Sequence, residues 1–312
     1  MSKVLVTGGA GFLGSHLCVA LRADGHEPVA IDDLSNGRRE NLEDGIALHV
    51  ADLSNSKWIS ELSGDSFDAV IHCSAQSSNA QSFRDPEADL RANQLATLRV
   101  LEYCQQNKIR RLIFTSSMSV YGDPPVIPTP SSEIPRPMTY YAAHKAASET
   151  YIQLWRDLDW TIFRLYTTYG YGQNLLNLNQ GLVKIFLGFV LRGEPVQVHG
   201  SGDRLRDIVH VSDVVRAIMM SLHNASSFRG TYNLGSGHPL RVSEIINRII
   251  ECAGKPRDYP VVYQSADLGD PHRTHADVSA ARSDFGWEPA VMPLDGIAMT
   301  VRRHMTADGS AS

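Results

Sequence analysis

Tyr141 and Lys145 stand four residues apart in the run Tyr141-Ala-Ala-His-Lys145, downstream of Ser117. On a helix that spacing places a phenol and an ammonium on one face. A cation beside the phenol stabilises phenolate and lowers a pKa that lies near ~10 in the free side chain. A tyrosine tuned this way can take a proton from a hydroxyl group near neutral pH. The pattern predicts acid–base chemistry at an alcohol carbon. Alone, Tyr-x-x-x-Lys would more often be a surface helix pair, so its meaning depends on what surrounds it.

A second constellation opens the chain. Thr7-Gly8-Gly9-Ala10-Gly11-Phe12-Leu13-Gly14 follows an apolar run and precedes a helical pattern. Gly8 permits a tight turn, Gly11 lets backbone approach a pyrophosphate, and Gly14 permits close helix packing. The helix N-terminus offers unpaired N–H groups and a positive dipole end to an anion. Asp32 ends the second apolar run, where a carboxylate can accept hydrogen bonds from ribose hydroxyls and repel a 2′-phosphate. NAD is therefore expected over NADP, although Arg38 and Arg39 follow closely.

These groups need a scaffold, and the hydrophobic rhythm supplies one. Lys3–Val6, Val29–Ile31, Ala47–Val50, Ala69–His72, Arg111–Phe114 and Trp160–Phe163 read as strands. Between them, residues 14–24, 54–62, 86–107 and 139–158 read as helices. The alternation predicts right-handed βαβ units and a Rossmann-type, doubly wound parallel α/β sheet. Runs such as Val-Leu-Val carry no polar alternation, as expected for parallel strands buried on both faces. After Arg164 the rhythm changes. Residues 166–180, rich in Gly, Tyr and Asn, suit a loop lining a cleft. Helices at about 182–192, 212–224, 242–253, 278–285 and 293–304 suggest a smaller α/β C-terminal substrate lobe. The expected division is 1–166 for the dinucleotide domain, with the chain returning to it at about 207–235. Residues 167–206 and 236–305 would form the lobe, and 306–312 a disordered tail.

Composition narrows the partners. A chain of 312 residues with 43% hydrophobic and 20% charged residues can bury a large core. The formal net charge of −5, without a basic stripe, weighs against nucleic acid. No run approaches ~18 apolar residues, so no membrane span is expected. Cys18, Cys73, Cys104 and Cys252 are scattered without a CxxC pair, which suggests reduced thiols in a cytoplasmic protein and no metal site.

Phe114-Thr115-Ser116-Ser117-Met118-Ser119-Val120-Tyr121-Gly122, together with Tyr141-x-x-x-Lys145, resembles the extended short-chain dehydrogenase/reductase family and, within it, the nucleotide-sugar epimerases. Further matches are Ile31–Gly37, Asp52-Leu53, Ile71-His72 through Ala75, Asn93, Arg206-Asp207-x-Val209-His210, Tyr232–Gly235 and Phe285-Gly286-Trp287. The resemblance implies Tyr141 as acid/base, Lys145 on the nicotinamide ribose lowering the tyrosine's pKa, and Ser117 on the reacting hydroxyl. It places Asp32 and Asn36 near the adenosine ribose, with Asp33, Leu34, Ser35 and Gly37 in the same turn. Asp52 and Leu53 would lie along the adenine. The backbone around Cys73, Ser74 and Ala75 would approach the cofactor phosphates, and Phe12, Leu13, Asn93 and Ser116 complete the cofactor set. On the substrate side it implies Thr167, Asn179, Val198, His199, Arg206 and Asp270. Arg206 would meet the diphosphate of a nucleotide sugar, with UDP expected, and His199 would stack on the base.

The implied reaction is transient oxidation at C4 of the sugar, with NAD regenerated. Met118 and Ser119 stand where 4,6-dehydratases carry an Asp-Glu pair, which disfavours dehydration. Two departures bear on the substrate: Thr167 where asparagine is usual, and Asp267 where an arginine usually grips the diphosphate, for which Arg273 or Lys184 could substitute. A ketoreductase or dehydrogenase of the same family remains the nearest alternative, and a non-catalytic NAD sensor an alternative of another class. The resemblance also implies a homodimer through a four-helix bundle of helices 86–107 and 139–158.

Overall fold

The computed structural model describes residues 1–178, 180–266 and 269–309. Six strands run β1 Lys3–Thr7, β2 Glu27–Asp32, β3 Ala47–Val50, β4 Ala69–His72, β5 Arg111–Ser117 and β6 Asp159–Leu165. The helices among them are α1 Phe12–Ala23, α2 Lys57–Glu61, α3 Asn79–Arg84, α4 Pro86–Leu90, α5 Ala96–Gln106 and α6 Tyr140–Leu154. Beyond them lie β7 Thr167–Tyr169, α7 Leu182–Arg192, β8 Val196–His199, β9 Leu205–Arg206, β10 Ile208–His210, α8 Val211–Ser221 and β11 Gly230–Leu234. The chain continues through β12 Leu240–Arg241, α9 Val242–Cys252, β13 Val261–Gln264, α10 Ser279–Phe285 and α11 Pro293–Gly309.

The central sheet has the order β11-β6-β5-β4-β1-β2-β3. Every neighbouring pair is parallel, with registers such as Leu5 opposite Val29 and Ile113 opposite Thr161. The strand order reverses between β1 and β4, and the crevice outside the strand C-termini there is where open α/β sheets take ligands. β11 adds the outer strand beside β6, so the chain comes back to this sheet after an excursion.

Burial on both sheet faces explains the unbroken apolar runs. One face packs Leu17 and Leu21 of α1, Val214 and Ile218 of α8, and Phe285. The other packs Trp58, Val100, Tyr103 and Ile152. A third core, in the second lobe, gathers Phe186, Val198, Ile245, Ile249 and Ile297. Among the described residues no helix is long and apolar enough to cross a membrane.

Several boundaries differ from expectation for local reasons. The predicted helix over 86–107 is continuous but breaks its pattern at residues 91–95, a π-helical turn between α4 and α5. There the Asn93 side-chain Nδ2 donates to the Asp89 backbone carbonyl, 3.1 Å away. The helix expected from 54 starts at Lys57, because Asp52 first accepts the Ser54 amide in a turn. The helix expected over 139–158 starts at Tyr140, with Thr139 as its N-cap accepting from the Ala142 amide, and stops at Leu154. The last helix runs to Gly309, past the point where the tail was expected to begin, and residues 310–312 lie outside the described ones.

Candidate active site

The turn after β1 is shaped by what a side chain would strike. Gly8 has φ +66°, and a Cβ on it would sit 2.8 Å from the Ser74 amide nitrogen. A Cβ on Gly14 would collide with the Gly8 carbonyl. Gly11 is the N-cap of α1 and brings no side chain to cap it, so the first amides of the helix stay available. A glycine cradle that any Cβ would fill, opening onto an uncapped helix, fits a pyrophosphate.

Asp32 is held by backbone amides. Its two carboxylate oxygens accept the Ala10 amide at 3.0 Å and the Leu34 amide at 2.8 Å, and the residue is buried. Desolvation raises its pKa, against the pull of those amides. Asp32 thus ties the glycine turn to the turn after β2. Asp33 accepts the Ser35 amide and hydroxyl within that turn, and Gly37 is close enough that a Cβ would meet the Asp32 carboxylate. Asn36 and Arg38 are the residues of this stretch that reach the cleft. Asp52 caps the Ser54 turn, and the Leu53 side chain is core, with its carbonyl accepting from the Trp58 indole.

The cleft itself is a cavity of about 590 Å³ between the strand ends and the second lobe. Phe12, Leu13, Cys73, Ala75, Ser116, Ser117, Tyr141, Lys145, Thr167, Arg206 and Asp270 all line it. Ser117 is the last residue of β5, and Tyr141 and Lys145 lie in the first turns of α6. The Tyr141 hydroxyl faces Ser117, which acts to lower its pKa. Ser117 donates to the Ser119 hydroxyl at 3.0 Å, so three hydroxyls lie together on the cleft wall. Lys145 donates to the Thr115 carbonyl at 2.9 Å and lies 4.5 Å over the Phe114 ring.

The electrostatics correct one expectation. Lys145 does not hold Tyr141 below the ordinary tyrosine range. Burial pushes the Tyr141 pKa up to about 12; Ser117 opposes this and Asp89 adds to it. Burial also lowers the Lys145 pKa to about 8, despite nearby Cys73, Glu149 and Asp89. Both groups sit in low dielectric, where the charged forms are penalised before any neighbour acts.

Behind the wall, buried polar groups fix these side chains. Ser116 donates to Glu149 at 2.5 Å, and Glu149 pairs with Arg164 at 2.7 Å. Arg164 stacks 4.7 Å over Tyr121, whose hydroxyl donates to Asn233 and takes no part in the cleft wall. His144, directed away from the cleft on α6, meets the buried Asp89 carboxylate at 2.6 Å. Asn93 donates to the Gln76 carbonyl and to Asp89, while its own side-chain oxygen is buried without a partner.

At the substrate end, Arg206 does not pair with its neighbour Asp207. Asp207 accepts four bonds, from the Ser236 amide and hydroxyl and from the Gly237 and Ala276 amides. Arg206 instead pairs with Asp270 at 2.7 Å, and Arg204 holds the other oxygen of the same carboxylate. Val198 is fully buried in the lobe core, and His199, at the exposed end of β8, is not among the lining residues. Asn179 and Asp267 lie outside the described residues.

Sequence reasoning missed part of the wall. Ser77, Asn79, Gln173 and Gln180 also line the cleft. Ser77 donates to Gln180 at 2.7 Å, joining the loop after β4 to the one before α7. That second loop is the one whose glycine-rich composition predicted a cleft lining, and Gly170, Gly172 and Gly181 take positive φ in it.

Residues 4–235 match the model of the NAD dependent epimerase/dehydratase family. The chain is 36% identical to a UDP-glucose 4-epimerase of Mycolicibacterium smegmatis, over 96% of this chain and 97% of that protein. In three dimensions it is similar to the UDP-glucose 4-epimerase of Thermotoga maritima crystallised with UDP-glucose, with TM-score 0.93, 32% identity and coverage of 98% and 99%. The Thermus thermophilus UDP-glucose 4-epimerase in complex with NAD gives TM-score 0.90 at 33% identity, with the same coverage. The family match and these likenesses agree with the sheet and the glycine cradle: the chain belongs to the NAD-dependent epimerase/dehydratase family, with a Rossmann-type fold and NAD as its cofactor.

Proposed function

We propose that this protein inverts the C4 hydroxyl of a nucleotide-diphosphate sugar, with UDP as the carrier. The observation that carries the reading is the hydroxyl pair Ser117–Tyr141 at the end of β5, opening into a cavity that also receives the glycine turn and α1. Tyr141 takes the proton from the C4 hydroxyl and returns it after the 4-keto sugar has turned. Ser117 holds the sugar oxygen and shares its proton. To take that proton Tyr141 must be phenolate, the form burial disfavours; Lys145, on the same helix face, is the cation the chain places to stabilise it. NAD held at the glycine turn supplies hydride acceptance and return at its nicotinamide.

Epimerisation needs no further acid or base, and no carboxylate stands at the two positions after Ser117. Met118 and Ser119 follow Ser117, and the one carboxylate among the described lining residues, Asp270, is engaged by two arginines. Elimination of water across C5–C6 would lack its acid. The relatives' activities, UDP-glucose 4-epimerisation, support the same choice.

The test is incubation of the purified protein with UDP-, GDP-, CDP- and dTDP-sugars, with products followed by NMR. The C4 epimer is expected without net NADH. Stoichiometric NADH would mean a dehydrogenase, and no product from any sugar despite bound NAD would mean a sensor.

We further propose a homodimer. Ala143, Ala147, Thr150 and Leu154 run along the outer face of α6, and Leu154 is 71% exposed. That stripe, beside the exposed Leu90 of α4, suits close helix approach by a second copy.

A further inference from the structure

The cleft is lined by four cations and one carboxylate among the described residues: Arg38, Lys145, Lys184 and Arg206 against Asp270. Three of the cations have assignments. Arg38 belongs to the turn beside the glycine loop, Lys145 to the catalytic face, and Arg206 is held by Asp270, which it shares with Arg204. Lys184 has none. It is 4% exposed, on the first turn of α7, and makes no hydrogen bond or ion pair with any described residue.

A lysine that buried and unpaired is costly unless something answers its charge. Burial alone lowers its pKa to about 8, with no carboxylate to oppose it. The helix it sits on starts at Gly181, which brings no capping side chain, and Gly181 and Leu182 line the same cavity. The dipole end of an 11-residue helix and an unanswered ammonium therefore face one space.

We propose that Lys184 is the residue that binds the diphosphate of the nucleotide-sugar substrate in this chain, in place of an arginine. The inference rests on the proposed substrate class and names how that class is held. Asp267 stands where the resemblance leads one to expect a cation. Of the two candidate substitutes, Arg273 is exposed and lies outside the cleft wall, whereas Lys184 is within it. Arg204 and Arg206 share the one carboxylate of Asp270, so that cluster keeps a single net positive charge, whereas Lys184 adds a second with no carboxylate paired to it.

The experiment is calorimetric titration of the NAD-loaded protein with UDP, GDP and dTDP, for wild type, Lys184→Met and Lys184→Arg. Lys184→Met is expected to weaken the tightest of the three by about 10- to 100-fold, the range for losing a charge-assisted hydrogen bond. Lys184→Arg should stay within about fivefold of wild type, and bound NAD per chain should be the same in all three, which separates a lost contact from a lost fold. With turnover as the readout, the loss should fall on KM more than on kcat. An unchanged dissociation constant in Lys184→Met, or no binding of any of the three diphosphates by wild type, overturns the assignment. Because this is a binding measurement, it separates two failures. Weakened diphosphate binding alongside no sugar turnover would sink the epimerase reading and leave Lys184 in place.

Discussion

Lys145 holds its ammonium out of water, on the Thr115 carbonyl, with a pKa drawn from 10.5 to about 8. Between those values the unfolded chain binds the proton and the folded chain does not, so this site's contribution to stability rises with pH across that window. Below about 8 the cost of the buried charge is present in full, on the order of 3 kcal/mol. Lys145→Met removes it. The unfolding free energy of that variant, relative to wild type, is expected to fall by roughly 2–3 kcal/mol between pH 7 and pH 10. Urea denaturation at the two pH values measures this, and a difference independent of pH would contradict the account. At this scale the placement of Tyr141, Lys145 and Ser117 on one wall was legible because spacing along a helix and position at a strand end are local facts. The partners of Asp32 and Arg206 were not. A carboxylate's direction depends on which amides fold against it, and the partner of Arg206 is 64 residues away in the chain.

Elements with a full hydrophobic period were read closely. α7 spans Leu182–Arg192 as its apolar pattern indicates, and β3 and β4 keep their expected ends. β9 and β12 are two residues each and exist only because Leu240 pairs with Arg206 and Arg241 with Leu205 across the lobe, which no periodicity records. α3 was also missed: it is six residues long, too short to repeat a pattern, and is announced only by its N-cap, Ser78. The element on which the cofactor site turns is the glycine loop into α1. A methyl group on Gly14 would strike the Gly8 carbonyl, and backbone cannot move aside as a side-chain tip can. Gly14→Ala is therefore expected to destabilise by about 1–3 kcal/mol and to release NAD. Thermal unfolding and cofactor content check both. A variant with wild-type Tm and full NAD would show that the contact relaxes at no cost.

For the whole molecule, the sheet order with its reversal between β1 and β4 brings the ends of β1, β4 and β5 to one crevice, and the second lobe covers it with α7 and the strands near Arg206. The parallel sheet was legible from alternation alone, whereas the cavity wall drew on loops whose closure, such as Ser77 to Gln180, spans about a hundred residues. Assembly is a property of the same scale. Ala147→Arg, placed mid-stripe on α6, is expected to convert the proposed dimer to a monomer in sedimentation velocity; a wild-type monomer, or a dimer that survives the change, would remove the bundle proposal. The account as a whole depends on one hydroxyl. Tyr141→Phe keeps the ring, its packing and the fold, and removes only the group that handles the proton. NMR turnover of a nucleotide sugar by the NAD-loaded variant is expected to fall by about 10²- to 10⁴-fold with its bound NAD unchanged. Turnover near the wild-type rate would contradict the account.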